Sequence, residues 1–269
     1  MPELPDVEVF RQYFNNVALK KRVDKVDISA DRILEDISAR SFQKRVGHCR
    51  FMASSRHGKH LFVQTDNGGA VVLHFGMTGY LQLVKNDEEQ PKHTSVAFRF
   101  DDKSLLAYSC TRLLGKVTWT GDVDEYIKKE KLGPDALDLS VDDLNEILNQ
   151  SRSGAKSTLM DQSKLAGLGN IYSDEILYQS GIHPEYPAKE LNKKEIKKLY
   201  NTMHRIIDVA VRHGAGSDGF PRRWLLPHRN KGDKCPRCDS EIKKISAAGR
   251  SSYICPKCQK NDAANKKGT

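Results

Sequence analysis

Hydrophobic positions in the first eighteen residues recur at helical spacing. Leu4, Val7, Phe10, Phe14 and Val17 follow one another at three- and four-residue intervals, with charged residues between them. That pattern predicts an amphipathic helix over residues 5–18. From about Arg22 to Thr120 the period changes to that of strands. Val23, Val26 and Ile28 begin the series, and Arg50–Ser54, His60–Thr65 and Ala70–Phe75 are short β-favouring runs. Tyr80–Val84, Thr94–Phe100, Ser104–Tyr108 and Lys116–Thr120 continue it. Asn67-Gly68-Gly69 and Asp101-Asp102-Lys103 supply turn chemistry between neighbouring runs. Many short strands at regular spacing predict a β-sandwich or barrel, with the first helix packed on it.

Leu132-Gly133-Pro134-Asp135 ends the strand pattern, and helical spacing follows. Ser140 with Asp143, and Asn192 with Glu195, have the spacing of N-terminal capping pairs. The first precedes Leu144, Ile147 and Leu148; the second opens a long helix running to about Arg212. Between them, Ile171–Ser180 reads as a helix stopped by Gly181 and Pro184. His213 to Gly219 is a glycine-rich break, and a cysteine-rich hairpin and a polar tail complete the chain. The expected fold class is α+β, in three parts: a helix plus β-sandwich over 1–133, a helical domain over 134–226, and a zinc-ribbon-like segment over 227–269.

Charge sharpens this division. The net charge is +9. Residues 228–269 hold 11 Lys and Arg against 4 Asp and Glu, a balance of +7, which leaves +2 on the preceding 227 residues. The C-terminal piece therefore carries the footprint of a polyanion binder. Charge begins at Glu3 with no apolar stretch after it, and no run approaches the ~18 apolar residues of a membrane span. The expectation is a soluble protein of a reducing compartment, cytoplasmic by default.

Five stretches carry candidate chemistry. Cys235-Pro236-Arg237-Cys238 and Cys255-Pro256-Lys257-Cys258 are two close thiol pairs, the spacing of a closed four-cysteine zinc site that shapes a hairpin and performs no chemistry. Arg250 lies between the pairs, on the hairpin turn or its second strand, where it either grips a phosphate or is solvated. Gly167-Leu168-Gly169-Asn170 precedes a helix, so backbone N–H groups, with Asn170 as cap, would suit an anion; a plain capped turn is the alternative. Lys59, within Arg56-His57-Gly58-Lys59-His60, is either a phosphate contact or part of a solvated loop. Met77, in His74-Phe75-Gly76-Met77-Thr78-Gly79, and Leu114, in Arg112-Leu113-Leu114-Gly115, are either ordinary core or exposed apolar tips of the kind that wedge into a duplex.

The fifth stretch is Met1-Pro2-Glu3-Leu4-Pro5-Asp6. Removal of Met1 would leave the Pro2 ring nitrogen as a free secondary amine, titrating near ~8 against ~10.4 for a lysine. Such an amine attacks electrophilic carbon and forms an imine. Glu3 is placed to act as acid or base at the same centre. Proline and acidic residues also suit any helix start.

In combination and in this order, these motifs resemble the formamidopyrimidine-DNA glycosylase and endonuclease VIII family, over essentially the whole chain. Pro-Glu-Leu-Pro and His-Phe-Gly-Met-Thr-Gly look like the formamidopyrimidine branch. The resemblance implies a helix–two-turn–helix domain beside the sandwich, a four-cysteine finger holding one structural Zn²⁺, and a monomer acting on double-stranded DNA with a damaged base or abasic site. It implies Pro2 as nucleophile at C1′, Glu3 as proton donor and shuttle, Lys59, Asn170 and Arg250 as phosphate contacts, and Met77, Arg112 and Leu114 as the residues filling the hole left by a flipped base. Asp6 stands where the family has a glutamate and is the candidate base contact, with a shorter arm. Leu114 stands where an aromatic is common, and the segment before Cys235 is short for a lid over an everted purine. The implied activity is excision of formamidopyrimidine and 8-oxoguanine followed by β,δ-elimination. The alternatives are a preference for oxidised pyrimidines and a catalytically silent damage-binding protein.

Overall fold

A computed structural model describes residues 1–85, 89–216 and 219–260. Part of the expected break at Gly214–Gly219 and most of the polar tail lie outside the described residues. The chain divides into two compact units, Met1–Glu130 and Lys131–Thr269.

The first unit opens with α1 (Leu4–Val17), within one residue of the periodicity's prediction. Two four-stranded antiparallel sheets follow. One runs β1 (Val23–Ile28), β6 (Thr94–Phe100), β7 (Leu105–Cys110), β5 (Gly79–Val84). The other runs β2 (Phe51–His57), β3 (His60–Thr65), β4 (Ala70–His74), β8 (Lys116–Thr120). The expected strands are all present, with ends moved by a few residues. Two short helices, α2 (Ala39–Val46) and α3 (Val123–Lys129), are additions to the expected pattern.

The apolar faces of the two sheets supply a shared core. Phe51 meets Phe98 at 5.7 Å and Phe100 at 6.1 Å between ring centres, both edge-on. Aromatic pairs prefer such edge contacts, because the ring's positive rim meets a negative face. The apolar stripe of α1 lies on this core: Phe14 sits 5.3 Å from Phe51, and Phe10 sits 4.4 Å from Phe75. Leu4, Val7 and Phe14 are at most 1 % exposed. Burying each side chain of this kind is worth about 1.5–3 kcal/mol, so the start of the helix is held as firmly as its middle. Tyr13 adds a polar tie, its hydroxyl accepting the Leu83 N–H at 2.8 Å.

The β4–β5 and β7–β8 connections of this unit touch. Gly76, at φ +56°, leaves no room for a side chain: a Cβ there would lie 2.4 Å from the Leu114 carbonyl. Arg112 N–H donates to Thr78 Oγ1 at 3.2 Å. Tyr108 hydroxyl, beneath both loops, donates to the His74 carbonyl at 2.8 Å.

The second unit holds α4 (Val141–Gln150), α5 (Ala155–Met160), α6 (Asn170–Ser180) and α7 (Lys193–Arg212), then the hairpin β9 (Lys243–Ala247) and β10 (Arg250–Ile254). Both predicted capping boxes are made, Ser140 with Asp143 and Asn192 with Glu195. Gly181 ends α6 in the left-handed conformation, at φ +76°. The hairpin is fastened to α6 through an apolar cluster of Tyr178, Leu225, Cys235, Ile242 and Cys255. Among the described residues, no helix is long and apolar enough to cross a membrane.

Replacing Gly76 by alanine tests how tightly the two loops are closed. Left-handed backbone costs a non-glycine residue about 1–2 kcal/mol, and the clash with Leu114 adds to it. Denaturant unfolding of Gly76→Ala should show a loss of at least about 2 kcal/mol; a loss under about 0.5 kcal/mol would mean the loops separate freely.

Candidate active site and nucleic-acid interface

In the first unit, Pro2 and Glu3 sit at the N-terminal end of α1, where a helix leaves its first N–H groups without intrahelical partners. Met1 is exposed, Pro2 is half-buried and Glu3 is 1 % exposed. Glu3 is the N-cap residue, with extended backbone. Its N–H donates to Asp6 Oδ2 at 2.8 Å. Asp6 thus fastens the residue before the helix to the helix's first turn. Burial pushes the Asp6 carboxyl up to about 6; the Glu3 N–H opposes that rise and the Glu3 charge adds to it. Two carboxyl groups close together, one of them hard to ionise, form a pair able to hold and pass a proton near neutral pH.

Lys59 occupies the tight turn between β2 and β3 and is 8 % exposed. Gly58, at φ +55°, makes the turn possible. Arg56 Nη1 donates to the Gly58 carbonyl at 3.1 Å, and Arg56 Nε lies 3.5 Å from Glu8 on α1. Glu8 also takes Arg11 at 2.7 Å. Burial alone would raise the Glu8 carboxyl, yet the Arg11 hydrogen bond and charge, with Gln12 and Arg56, hold it below its ordinary value. The helix bearing Pro2 and the turn bearing Lys59 are therefore tied together by an ionic contact.

Behind Lys59 lies a histidine pair that periodicity gave no reason to single out. His60 and His74 face each other across β3 and β4, with ring centres 4.9 Å apart. Burial pushes His60 down to about 3, and the neighbouring His74, His57, Lys116 and Lys59 disfavour its protonation further. Burial and then Lys59 push His74 down to about 4. Both rings are held in the neutral form near pH 7, so neither adds charge to the turn that carries Arg56 and Lys59.

Met77 and Leu114 are 41 % and 46 % exposed, two of the five large hydrophobic residues most exposed among those described. Arg112 is exposed as well. The touching loops bring all three together, and the sequence alternative of ordinary core is overturned for Met77 and Leu114. The result is an exposed apolar pair beside an arginine, on loops closed by a glycine contact.

In the second unit, Asn170 is the first residue of α6, not its cap; Gly169 is the N-cap. The expected capping role is thus corrected. The Asn170 side chain turns away from its own helix, with Oδ1 accepting from Lys156 Nζ at 2.7 Å and Nδ2 donating to the Ser251 carbonyl at 3.2 Å. Arg250 is exposed at the first position of β10, following the left-handed pair Ala248 and Gly249. Asn170 and the strand of Arg250 are therefore adjacent.

What sequence reasoning missed is the buried network beneath them. Lys156 and Asp174 are both completely buried and pair at 2.7 Å. Arg229 reaches Asp174 Oδ2 through Nε and Nη2 at 3.0 and 2.8 Å, and stacks on Tyr253 at 4.6 Å. Ser252 completes the cluster from the finger strand.

The four cysteine sulfurs Cys235, Cys238, Cys255 and Cys258 all lie within 4.8 Å of one another. Three of the separations are 3.4, 3.6 and 3.8 Å. A tetrahedron with metal–sulfur distances of about 2.3 Å has edges of about 3.8 Å. The cluster fits one zinc ion, with every position taken by protein, so it organises the hairpin and leaves no place for substrate.

Comparison with known proteins agrees with this arrangement. Residues 1–117 match the formamidopyrimidine-DNA glycosylase N-terminal domain, residues 132–221 the formamidopyrimidine-DNA glycosylase H2TH domain, and residues 232–261 a zinc finger found in FPG and IleRS. The formamidopyrimidine-DNA glycosylase of Desulforamulus reducens is 34% identical, over 97% of this chain and 99% of that protein. That of Lactiplantibacillus plantarum is 32% identical, over 95% and 98%. Among solved structures, Lactococcus lactis Fpg (MutM) bound non-covalently to DNA with an AP site is similar at a TM-score of 0.87 and 28% identity, over 96% of this chain and 99% of that one. The same enzyme in complex with DNA containing FAPY-dG gives the same score and identity, over 96% and 100%. With its N-terminal, helical and finger segments each matched and its relatives alike over nearly their whole length, the chain belongs to the formamidopyrimidine-DNA glycosylase family.

Proposed function

We propose that this enzyme removes oxidised or ring-opened purines from duplex DNA, formamidopyrimidine first and 8-oxoguanine next, and then cleaves the resulting abasic site. The observation that carries the reading is the start of α1: a proline amine at a half-buried position, next to a carboxylate with almost no exposure, beside a second carboxyl raised to about 6. The family membership, and relatives solved with Fapy-dG and abasic-site DNA, support the substrate class.

The steps follow from these groups. With Met1 removed, the Pro2 nitrogen attacks C1′ of the damaged nucleotide while Glu3 protonates the opening sugar oxygen. The base departs and an iminium joins Pro2 to C1′. The iminium acidifies the C2′ protons, so β-elimination breaks the strand on the 3′ side and δ-elimination frees the sugar. One covalent intermediate serves both excision and cleavage. None of this is possible while the base is stacked, and extrusion costs a few kcal/mol. Met77, Arg112 and Leu114 would offset part of that by filling the vacated space. Lys59, Asn170 and Arg250 would hold the phosphates around the lesion. Asp6, bonded to the Glu3 N–H, fixes the acid's backbone and is the candidate contact to the flipped base. Cys235, Cys238, Cys255 and Cys258 would hold one zinc ion, which keeps Arg250's hairpin folded. The enzyme would act as a monomer in the cytoplasm, on double-stranded DNA.

Two experiments test this reading. Glu3→Gln should lose base excision by at least about a hundredfold, the scale of one acid–base group, yet keep measurable cleavage of pre-formed abasic sites; Pro2→Gly should impair excision while leaving a primary amine. Strand cleavage on lesion and abasic duplexes separates the two, and full excision by Glu3→Gln would remove the acid role.

The second concerns Asp6. Its folded value, about 6, exceeds its ordinary 3.8, so the group favours folding only when protonated. That contribution is complete below about 3.8 and disappears as pH rises through about 6. Above that, the buried charge opposes folding by about 2–3 kcal/mol. Asp6→Asn should therefore be more stable than the parent at pH 8, and the difference should vanish by pH 4. A stability difference that does not change with pH would show Asp6 to be ordinary.

A further inference from the structure

Asn170 and Arg250 come from different elements, one from the start of α6 and one from the finger strand β10. A single buried carboxylate joins the two. Asp174 lies on α6 one turn beyond Asn170 and is fully buried. Its Oδ1 receives Lys156 Nζ at 2.7 Å and the Ser252 hydroxyl. Its Oδ2 receives Arg229 through two nitrogens and the Tyr253 N–H at 3.3 Å. Ser252 and Tyr253 are the third and fourth residues of β10, and Arg250 is the first. Lys156 Nζ also donates to Ser252 Oγ at 2.9 Å, so that hydroxyl accepts from the lysine and donates to the carboxylate.

The other branch leads to Asn170. An ammonium group can only donate, so the amide facing Lys156 must present its oxygen. That fixes the amide's orientation: Nδ2 points away from the buried cation, toward the Ser251 carbonyl and outward. Without the Asp174 charge, Lys156 and Arg229 would be two cations brought together in a buried site, the arrangement a protein tolerates least. The lysine would then withdraw from Asn170, and β10 would lose its side-chain and backbone ties at Ser252 and Tyr253.

We propose that Asp174 is a positioning residue that couples Asn170 to Arg250, so that the two phosphate contacts form and fail as one unit. The inference rests on the reading of those two residues as phosphate contacts. Ser252 is the branch to the finger, and Lys156 the branch to Asn170.

A double-mutant cycle tests the coupling, with DNA carrying a stable abasic-site analogue as the probe and affinity measured over a range of salt. In the parent, Arg250→Ala should lower the salt slope by about 0.9, one released counterion, while Asn170→Ala should weaken binding about fivefold with the slope unchanged, since an amide releases no counterion. In an Asp174→Asn background both losses should shrink below about twofold, because neither contact is then formed. On abasic duplex, Asp174→Asn should raise KM about tenfold and leave kcat within about twofold, a split that general unfolding does not produce. Zinc content and melting temperature verify that the variant is folded. Should Asp174→Asn not fold, Ser252→Ala serves: the Arg250→Ala loss should shrink and the Asn170→Ala loss should persist, since only the finger branch is cut. An Arg250→Ala loss undiminished in the background used, or an Asn170→Ala loss undiminished in the Asp174→Asn background, overturns the coupling. If Arg250→Ala and Asn170→Ala change neither affinity nor slope in the parent, the clamp reading itself fails, and the coupling with it.

Discussion

The working end of the first unit depends on the packing of one helix face. Pro2 and Glu3 extend only two residues beyond the first turn of α1, so they can be no better placed than the helix behind them. That helix has its apolar stripe sunk into the sandwich, Phe10 against Phe75 and Phe14 against Phe51, and its second turn tied through Glu8 to Arg56. A short arm on a fixed base gives a nucleophile little freedom to lose on reaching its target, which is how proximity lowers a barrier. The same sandwich positions the Lys59 turn and the two touching loops. Glu3, the Lys59 turn and the loops of Met77 and Leu114 therefore belong to one compact unit.

The second unit solves a different problem. The residues proposed as its phosphate contacts come from segments 80 residues apart in sequence, Asn170 and Arg250. Apolar packing around Tyr178 and the zinc-type cysteine cluster hold the finger to α6 without directing any particular side chain. Direction comes from hydrogen bonds with fixed donor and acceptor roles. A buried ion pair contributes little net stability compared with apolar packing, and losing one partner is severe. The Lys156–Asp174 pair is better understood as a device that selects one arrangement of Asn170 and β10 over others.

The readable parts of the sequence were those where local chemistry decides the outcome. Runs such as His60–Thr65 and Thr94–Phe100 are rich in β-favouring residues, capping pairs announce α4 and α7, and the two thiol pairs announce the metal site. Three helices were not readable. α2 offers only Phe42 and Val46 as buried anchors among charged neighbours, and α3 offers only Tyr126. α5 buries Lys156, which in sequence looks like any solvated lysine. Its partners stand 18 and 96 residues away, so only the fold reveals that it is buried and paired. Asn170 was picked out by its place after two glycines, but its role as a cap was wrong, because Gly169 takes that position. The exposure of Met77 and Leu114 likewise depends on a contact between distant loops, Gly76 against Leu114, that no periodicity encodes.

The most direct test of the account is covalent capture of the intermediate. The enzyme, with loss of Met1 verified by mass spectrometry, would be mixed with borohydride and duplexes containing formamidopyrimidine-guanine, 8-oxoguanine, thymine glycol or an abasic site. The account predicts a reduced protein–DNA adduct whose attachment maps to Pro2, formed with the purine lesions more readily than with thymine glycol. An adduct mapping to a lysine, or none on any duplex from protein whose N-terminus is Pro2, would contradict it.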